Sequence, residues 1–332
     1  MPDVVVVGEA LIDMVSDRPG VSIGEAPGFR KCPGGAPANV AVGLARLGAS
    51  VGFVGVVGDD PFGRYLKAFL RQNGVDVTYM RVTKEALTTL AFVALGPRGE
   101  TEFSFYRRPG ADTLVSPEDL SPAYLASARL FHFGTVSMAE QPSQSAVWAG
   151  IERAAAAGLS ISLDVNYRPA LWADPAQALV LTRRALEAVH LLKTSGDELE
   201  MLSGSRDEAG ARRLLDDYSR LSLVVVTEGP QGSWAVTRGG AVARAAAFEV
   251  EAVDTTGAGD AFWAAALWQL LGLARRAGRS PKEVAAALDA PALRRLLATA
   301  NAAGALTVQV QGAMTALPTR EELDRFTARI AS

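Results

Sequence analysis

Asp254-Thr-Thr-Gly-Ala-Gly-Asp260 runs straight into Ala261-Phe-Trp-Ala-Ala-Ala-Leu-Trp268. The second half is a helix-forming run that is apolar nearly all round, which suits a helix buried at the centre of a domain. Gly257 and Gly259 leave backbone N–H groups bare at its start, where unpaired amides and the helix dipole favour an anion. Asp260 adds a carboxylate at an end that already attracts negative charge. An acidic residue there needs no function to explain it, so its meaning depends on what the rest of the chain supplies.

Working outward, Val4 to Val7 is a short continuous apolar run ending in Gly8. It predicts a central parallel strand buried on both faces. Strand and helix patterns then alternate. A helix is expected from Pro37 to Leu47, with Val40, Leu44 and Leu47 as its core stripe and Asn39, Gly43 and Arg46 on another face. The strand Val51–Val57 and the helix Pro61–Gln72 follow. Further on come the strand Leu130–Phe133, a helix around 146–157, the strand Ile161–Asp164 and a helix over 176–188. A strand at 189–193, a helix at 208–219 and the strand Leu223–Thr227 continue the alternation. Such units predict an α/β fold: an open, mostly parallel sheet flanked by helices on both faces. Ligands of such sheets bind beyond the carboxyl ends of the strands.

Two regions break this rhythm. Residues 11–32 and 87–107 carry alternating pieces such as Thr89-Leu-Ala-Phe-Val93 and Thr101-Glu-Phe-Ser-Phe-Tyr106. They predict extra strands forming a small β lid over the site. The stretch Ala274–Pro291, rich in Arg, Gly, Ser and Pro, reads as an exposed connection between helices. With no fixed repeat and no low-complexity linker, residues 1–332 are expected to form a single domain.

Composition removes several function classes. The 332 residues are 49% hydrophobic and 21% charged, with a net charge of −3. That balance gives no footprint for nucleic acid or an anionic membrane surface. The single Cys32 excludes an intrachain disulfide and a Cys-rich metal site, and beside Pro33 and Gly34 it reads as an incidental loop thiol. His132 and His190 sit among strand residues and read as buried, satisfied histidines rather than bases. The start, Met-Pro-Asp and four valines, has no basic n-region, and no apolar run reaches membrane length. A cytoplasmic enzyme is expected.

The upstream pieces bear on Asp260. Gly34-Gly-Ala-Pro-Ala-Asn39 precedes a helix, with Pro37 suited to its first turn. Its glycines admit a ligand close to the backbone, and the Asn39 amide both donates and accepts, as a polyol requires. Asp13 follows the first strand, where a carboxylate can accept from sugar hydroxyls, although a turn Asp is the plainer reading of it alone. Asp164-Val-Asn-Tyr-Arg-Pro-Ala-Leu-Trp172 offers Asn166 and Arg168 at a strand end.

The two glycine-rich strings, in this order and more than 200 residues apart, resemble the two signatures of the ribokinase/PfkB family of sugar kinases. The resemblance extends over almost the whole chain and implies a ribokinase-like fold. It also implies ATP-dependent phosphorylation of a free sugar with Mg²⁺. Asp260 would be the general base, and the amides of Gly257, Ala258, Gly259 and Asp260 the anion hole. Asp13, Gly34, Gly35, Asn39, Tyr106, Arg107 and Arg168 would bind the sugar. Asn166, Thr227, Gly229, Gly232 and Asn301 would serve the nucleotide, and Asn301 would line the adenine pocket. Lys193-Thr-Ser-Gly-Asp-Glu198 stands where relatives have Asn-x-x-Glu, so Glu198 carries an indirect Mg²⁺ role while Ser195 replaces the Asn. A monovalent cation such as K⁺ is implied near Asp254, Thr256 and Gly312, and a homodimer through the lid strands.

Within the family, Phe105-Tyr-Arg-Arg-Pro-Gly-Ala-Asp112 and Lys193-Thr-Ser-Gly-Asp-Glu-Leu-Glu200 are similar to the fructokinase branch, which makes fructose the expected substrate. Asp164-Val-Asn-Tyr-Arg does not discriminate, because 2-keto-3-deoxygluconate kinases share it. That activity and a non-catalytic sugar or nucleotide sensor are the alternatives. No Gly-x-x-x-x-Gly-Lys-Ser/Thr occurs, so a Walker-type NTPase is excluded, and no Gly-x-Gly-x-x-Gly follows the first strand, which disfavours a NAD-binding dehydrogenase.

Overall fold

The valines of β1 (Val4–Val7) divide between two cores. Val4 and Val6 pack into one cluster and Val5 and Val7 into another, all fully buried. Those clusters are the two faces of one sheet, as a continuous apolar strand requires. The computed structural model describes residues 1–96 and 101–331. Across the main sheet the strands run β14 (Val242–Ala245), β13 (Ser233–Thr237), β12 (Leu223–Thr227), β11 (Leu191–Ser195), β10 (Ser160–Asp164), β9 (Leu130–Gly134), β1, β4 (Val51–Gly58) and β5 (Val75–Asp76). A further strand, β6 (Met80–Thr83), also pairs with β4.

Pairing is parallel from β12 to β5 and antiparallel only at β13 and β14. The chain leaves β1 for β4 on one side and later returns to β9 on the other. The strand order therefore reverses beside β1, the place where open α/β sheets hold their ligands.

Helices cover both faces. On the side of Val4 and Val6 lie α1 (Ala36–Arg46) and α2 (Pro61–Gln72). On the opposite side lie α3 (Pro122–Ala126), α4 (Ser143–Ala156), α5 (Pro175–Leu186), α6 (Gly196–Ser203) and α7 (Glu208–Asp217). The first side is completed by α8 (Ala258–Ala277), α9 (Pro281–Ala287), α10 (Ala290–Thr307), α11 (Ala313–Ala316) and α12 (Arg320–Ala331). The helix expected to be central is so: Trp263, Ala264, Ala265, Ala266 and Leu267 of α8 are fully buried.

The region 274–291 is not the exposed connection that its composition suggests. Helix α8 continues to Ala277 and stops at the left-handed Gly278, and α9 starts at Ser280, whose side chain caps it with Glu283 in a capping box. The breakers there mark one helix end and one helix start.

The lid is a separate four-stranded sheet in the order β3 (Phe29–Gly34), β2 (Leu11–Ser16), β7 (Leu90–Leu95), β8 (Thr101–Tyr106). This matches the expected lid, although residues 97–100 within it lie outside the described residues. Cys32 is a buried strand residue rather than a loop thiol, and its Sγ packs against Gly312. Burial pushes the thiol up to about 11. His132 and His190 are satisfied: Nδ1 of His132 pairs with Ser162 Oγ at 3.0 Å, and Nδ1 of His190 accepts from the Ile161 amide at 3.0 Å. Among the described residues no helix is long and apolar enough to cross a membrane.

Candidate active site

Helices α1 and α8 cross so closely that a methyl on Gly43 would sit 2.8 Å from Ala264 Cβ. The Asn39/Gly43/Arg46 side of α1 therefore faces α8, not solvent, and the two helix N-termini come together. There Asn39 Nδ2 donates to Asp260 Oδ2 at 2.7 Å. Burial raises the Asp260 pKa, and the bond from Asn39 and the charges of Lys193 and Arg168 pull against that rise. Oδ1 of Asn39 is buried without a partner among the described residues.

Around this pair opens a cavity of about 420 Å³, lined by Glu9, Asp13, Gly35, Asn39, Asn166, Arg168, Lys193, Ser195, Glu198 and Asp260, with Phe103 and Phe105 of the lid. Asp13, on β2, is packed over Gly34, where any side chain would collide with its carboxylate. Burial, then the neighbouring Asp260 and Asp254, push Asp13 up to about 7. Arg168 reaches over the Phe103 ring at 5.6 Å.

The turn before α8 leaves fewer amides free than its glycines suggested, because that of Ala258, expected in the anion hole, is already bonded. Gly257 is left-handed at φ +82, and no side chain caps the helix. The Ala258 amide donates to Thr255 O and the Ala261 amide to Gly257 O, and the amides of Gly259 and Asp260 have no internal partner among the described residues. Two donors and the positive end of a 20-residue helix thus face the cavity.

A second, apolar cavity of about 500 Å³ lies on the far side of this turn. It is lined by Thr227, Gly229, Gly232, Phe248, Phe262, Asn301 and Val308 among others, and it shares Thr255 and Gly259 with the first. Its shape and composition suit a flat aromatic base. Asn301 lines it, but its amide is already occupied. Nδ2 donates to Ala245 O and Ala246 O at 3.0 Å each, and Oδ1 accepts from Ser233 Oγ at 3.0 Å. Asn301 ties the loop after β14 into the wall of the cavity.

Two residues of the polar cavity escaped sequence reasoning. Lys193 Nζ lies 2.9 and 2.8 Å from the two oxygens of Asp164, both residues buried. Glu9 accepts from Ser137 Oγ at 2.7 Å, and burial lifts it to about 7. Lys193 opens a motif quoted above and Glu9 follows the first strand, and a charged residue at the end of an apolar strand is the signal that could have found them.

Other expected residues lie elsewhere. Arg107 is buried in an ion pair with Asp112 at 2.8 Å and does not line the polar cavity. Tyr106 is 67% exposed and, with Arg107, lines a separate groove under the lid. Asn166 lines the polar cavity rather than the apolar one. Glu198 lines the polar cavity with its carboxylate oriented by two amides, Tyr167 N–H on Oε1 and Ser195 N–H on Oε2, each at 2.7 Å. Ser195 serves as the cap of α6.

Asp254, Thr256 and Gly312 do come together, since Oδ1 of Asp254 accepts from Thr256 N–H and Oδ2 from Gly312 N–H, both at 2.9 Å. No cluster of three or more His, Cys, Asp or Glu suited to a metal exists among the described residues. The donor set fits Mg²⁺ held by phosphate and water with Glu198 outside its water shell, since the oriented carboxylate keeps free lone pairs.

A doubly covered parallel sheet with a β lid, and a polar and an apolar cavity meeting at a helix N-terminus beside a buried carboxylate, define a ribokinase-like phosphotransferase. The chain matches the family described as pfkB family carbohydrate kinase over residues 1–320. It is 42% identical over 320 residues to the fructokinase of Klebsiella pneumoniae, covering 96% of this chain and 97% of that one. To the fructokinase of Solanum tuberosum it is 41% identical over 319 residues, covering 95% and 92%. The crystal structure of a fructokinase with bound ATP from Xylella fastidiosa superposes with a TM-score of 0.88 at 33% identity, covering 100% of each chain. This chain belongs to the pfkB family and is a carbohydrate kinase.

Proposed function

We propose that the protein transfers the γ-phosphoryl group of ATP to a hydroxyl of fructose, in the cytoplasm. The observation that carries this reading is the position of Asp260, in the polar cavity on the turn that also walls the apolar one. The sugar occupies the polar cavity against Asp13, Gly35, Asn39 and Arg168, with Gly34 packed beneath Asp13. The adenine lies in the apolar cavity by Thr227, Gly229, Gly232 and Asn301, and the phosphates run past Gly257–Gly259.

Asp260 takes the proton of the attacking hydroxyl, a contribution of roughly 10²- to 10⁴-fold. The sugar oxygen then bonds to the γ-phosphorus as the bond to ADP breaks, and the Gly259 and Asp260 amides bind the charge of the moving group. Glu198 would help hold a Mg²⁺ ion, which would supply charge neutralisation to the phosphate oxygens. A monovalent cation at the Asp254–Thr256–Gly312 junction would hold that turn in place. Equal activity in potassium and in a large organic cation would remove this last element. Exposed Leu87 and Tyr106 beside and on the lid support pairing of two copies there, which light scattering tests.

Charge favours a neutral sugar over 2-keto-3-deoxygluconate. The cavity is lined by Glu9, Asp13, Glu198 and Asp260, and its Lys193 is matched by Asp164. Of the cations that could have met a substrate carboxylate, Arg107 is matched by Asp112, Arg108 lies by Glu140, and Arg168 lines the cavity among those four carboxylates. An acid would enter badly paired, so fructose should exceed it by roughly 10²-fold or more in kcat/KM at saturating ATP and Mg²⁺. The reverse order would overturn the choice of sugar, and fructose binding without ADP release would support a sensor.

A further inference from the structure

We propose that Lys193 is a catalytic residue that grips the transferring phosphoryl group, with Asp164 as its positioning residue. This rests on the phosphotransfer reading above and adds a cation to it.

Lys193 of β11 and Asp164, the last residue of β10, are register partners on these parallel strands. The Lys193 side chain is 9% exposed and the Asp164 side chain 3%. An ammonium has three N–H donors, and two go to the oxygens of Asp164. The third is left for the cavity that Lys193 lines. A methyl placed on Gly259 would sit 3.0 Å from Nζ, so the ammonium rests against the turn that bears the unpartnered Gly259 and Asp260 amides. Arg168, the other cation lining this cavity among the described residues, stacks over Phe103 on the lid side instead.

Two kinds of positive group, amide and ammonium, therefore converge beside the base. Charge on a transferring phosphoryl spreads over three equatorial oxygens, and fixed positive groups around it are the main source of catalysis. A purely structural account fits less well, because a buried ion pair stabilises a fold little compared with apolar residues of the same volume. Burial works against the ammonium, but Asp164, Glu198 and Asp260 more than offset it and hold Lys193 above the ordinary lysine range. It meets the phosphoryl group charged.

The test compares wild type, Lys193→Met, and Lys193→Met combined with Asp164→Leu, which leaves no lone charge buried. Turnover is measured with fructose, ATP and Mg²⁺, and binding of ADP with and without aluminium fluoride by calorimetry. Loss of the ammonium should lower kcat roughly 10²- to 10³-fold. Affinity for ADP plus aluminium fluoride should fall in parallel, while affinity for ADP alone stays within about threefold. A folded variant without Lys193 that keeps kcat within about threefold, or binds ADP plus aluminium fluoride like wild type, overturns the proposal. If wild type binds the phosphoryl analogue yet phosphorylates no fructose, the choice of sugar fails, and the binding arm still decides on Lys193.

Discussion

Nδ2 of Asn39 donates a 2.7 Å hydrogen bond to Oδ2 of Asp260, joining two helix N-termini whose residues are 221 positions apart. The bond holds the carboxylate in one orientation and favours its charged form. It makes one unit of the two glycine-rich strings.

Asp260→Asn keeps the size of the side chain and removes the proposed base. The expected loss in kcat is roughly 10²-fold or more, with little change in the KM for sugar, because proton transfer acts in the transition state. Steady-state kinetics within about threefold of wild type would show that Asp260 is not the base.

Asn39→Ala should raise the KM for sugar and leave ATP binding nearly unchanged. The hydrogen bond to Asp260 adds a second expectation. Losing a donor to the charged form raises the Asp260 pKa further, and a base works only when deprotonated. The acidic limb of the kcat/KM profile should move to higher pH, so the variant is hurt more near pH 6 than near pH 9. An unmoved limb would assign Asn39 to the sugar alone.

How far this was legible in the sequence differs by element. Six parallel strands, β1, β4, β9, β10, β11 and β12, were, because burial on both faces leaves a mostly apolar run, whereas the short β5 and β6 beside β4 were not. The Asp260 turn was legible too, because glycines before a helix have a local meaning. The antiparallel pair β13 and β14 was missed: Ser233–Thr237 and Val242–Ala245 are short, and their partners are set by the edge of the sheet. The role of Arg107 was misread for a related reason. Nothing in a Tyr-Arg-Arg-Pro string says which guanidinium turns inward, and Asp112, five residues on, decides it. Glu9 and Lys193 became site residues only through the crossing of strands and lid.

Asp13 predicts a stability effect in the ligand-free protein. Its pKa is lifted from 3.8 to about 7 in the fold. Below about pH 3 it is protonated in folded and unfolded chains alike. As pH rises toward 7 the unfolded chain ionises first, so stability falls and the loss is complete above the folded pKa. Asp13→Asn removes that slope. It should match wild type near pH 3 and exceed it at pH 8 by about 1 to 3 kcal/mol in denaturant titrations. Sugar affinity should fall in the same variant.

Asn301→Ala frees the loop after β14 by removing two hydrogen bonds to its carbonyls. The wall of the apolar cavity loosens, so the KM for ATP should rise several-fold while that for sugar stays put. A shift in the sugar constant instead would move Asn301 out of the nucleotide half.

Leu11, Asp13, Phe103 and Phe105 come from the lid sheet and line the polar cavity, and among the described residues no lid strand reaches the apolar one. The linings of the two cavities therefore overlap only at Thr255 and Gly259, where the turn meets α8. Sequence drift in the lid can retune which acceptor is admitted without touching the handling of the donor. A scaffold divided in this way can spread across many acceptors while its donor half stays the same.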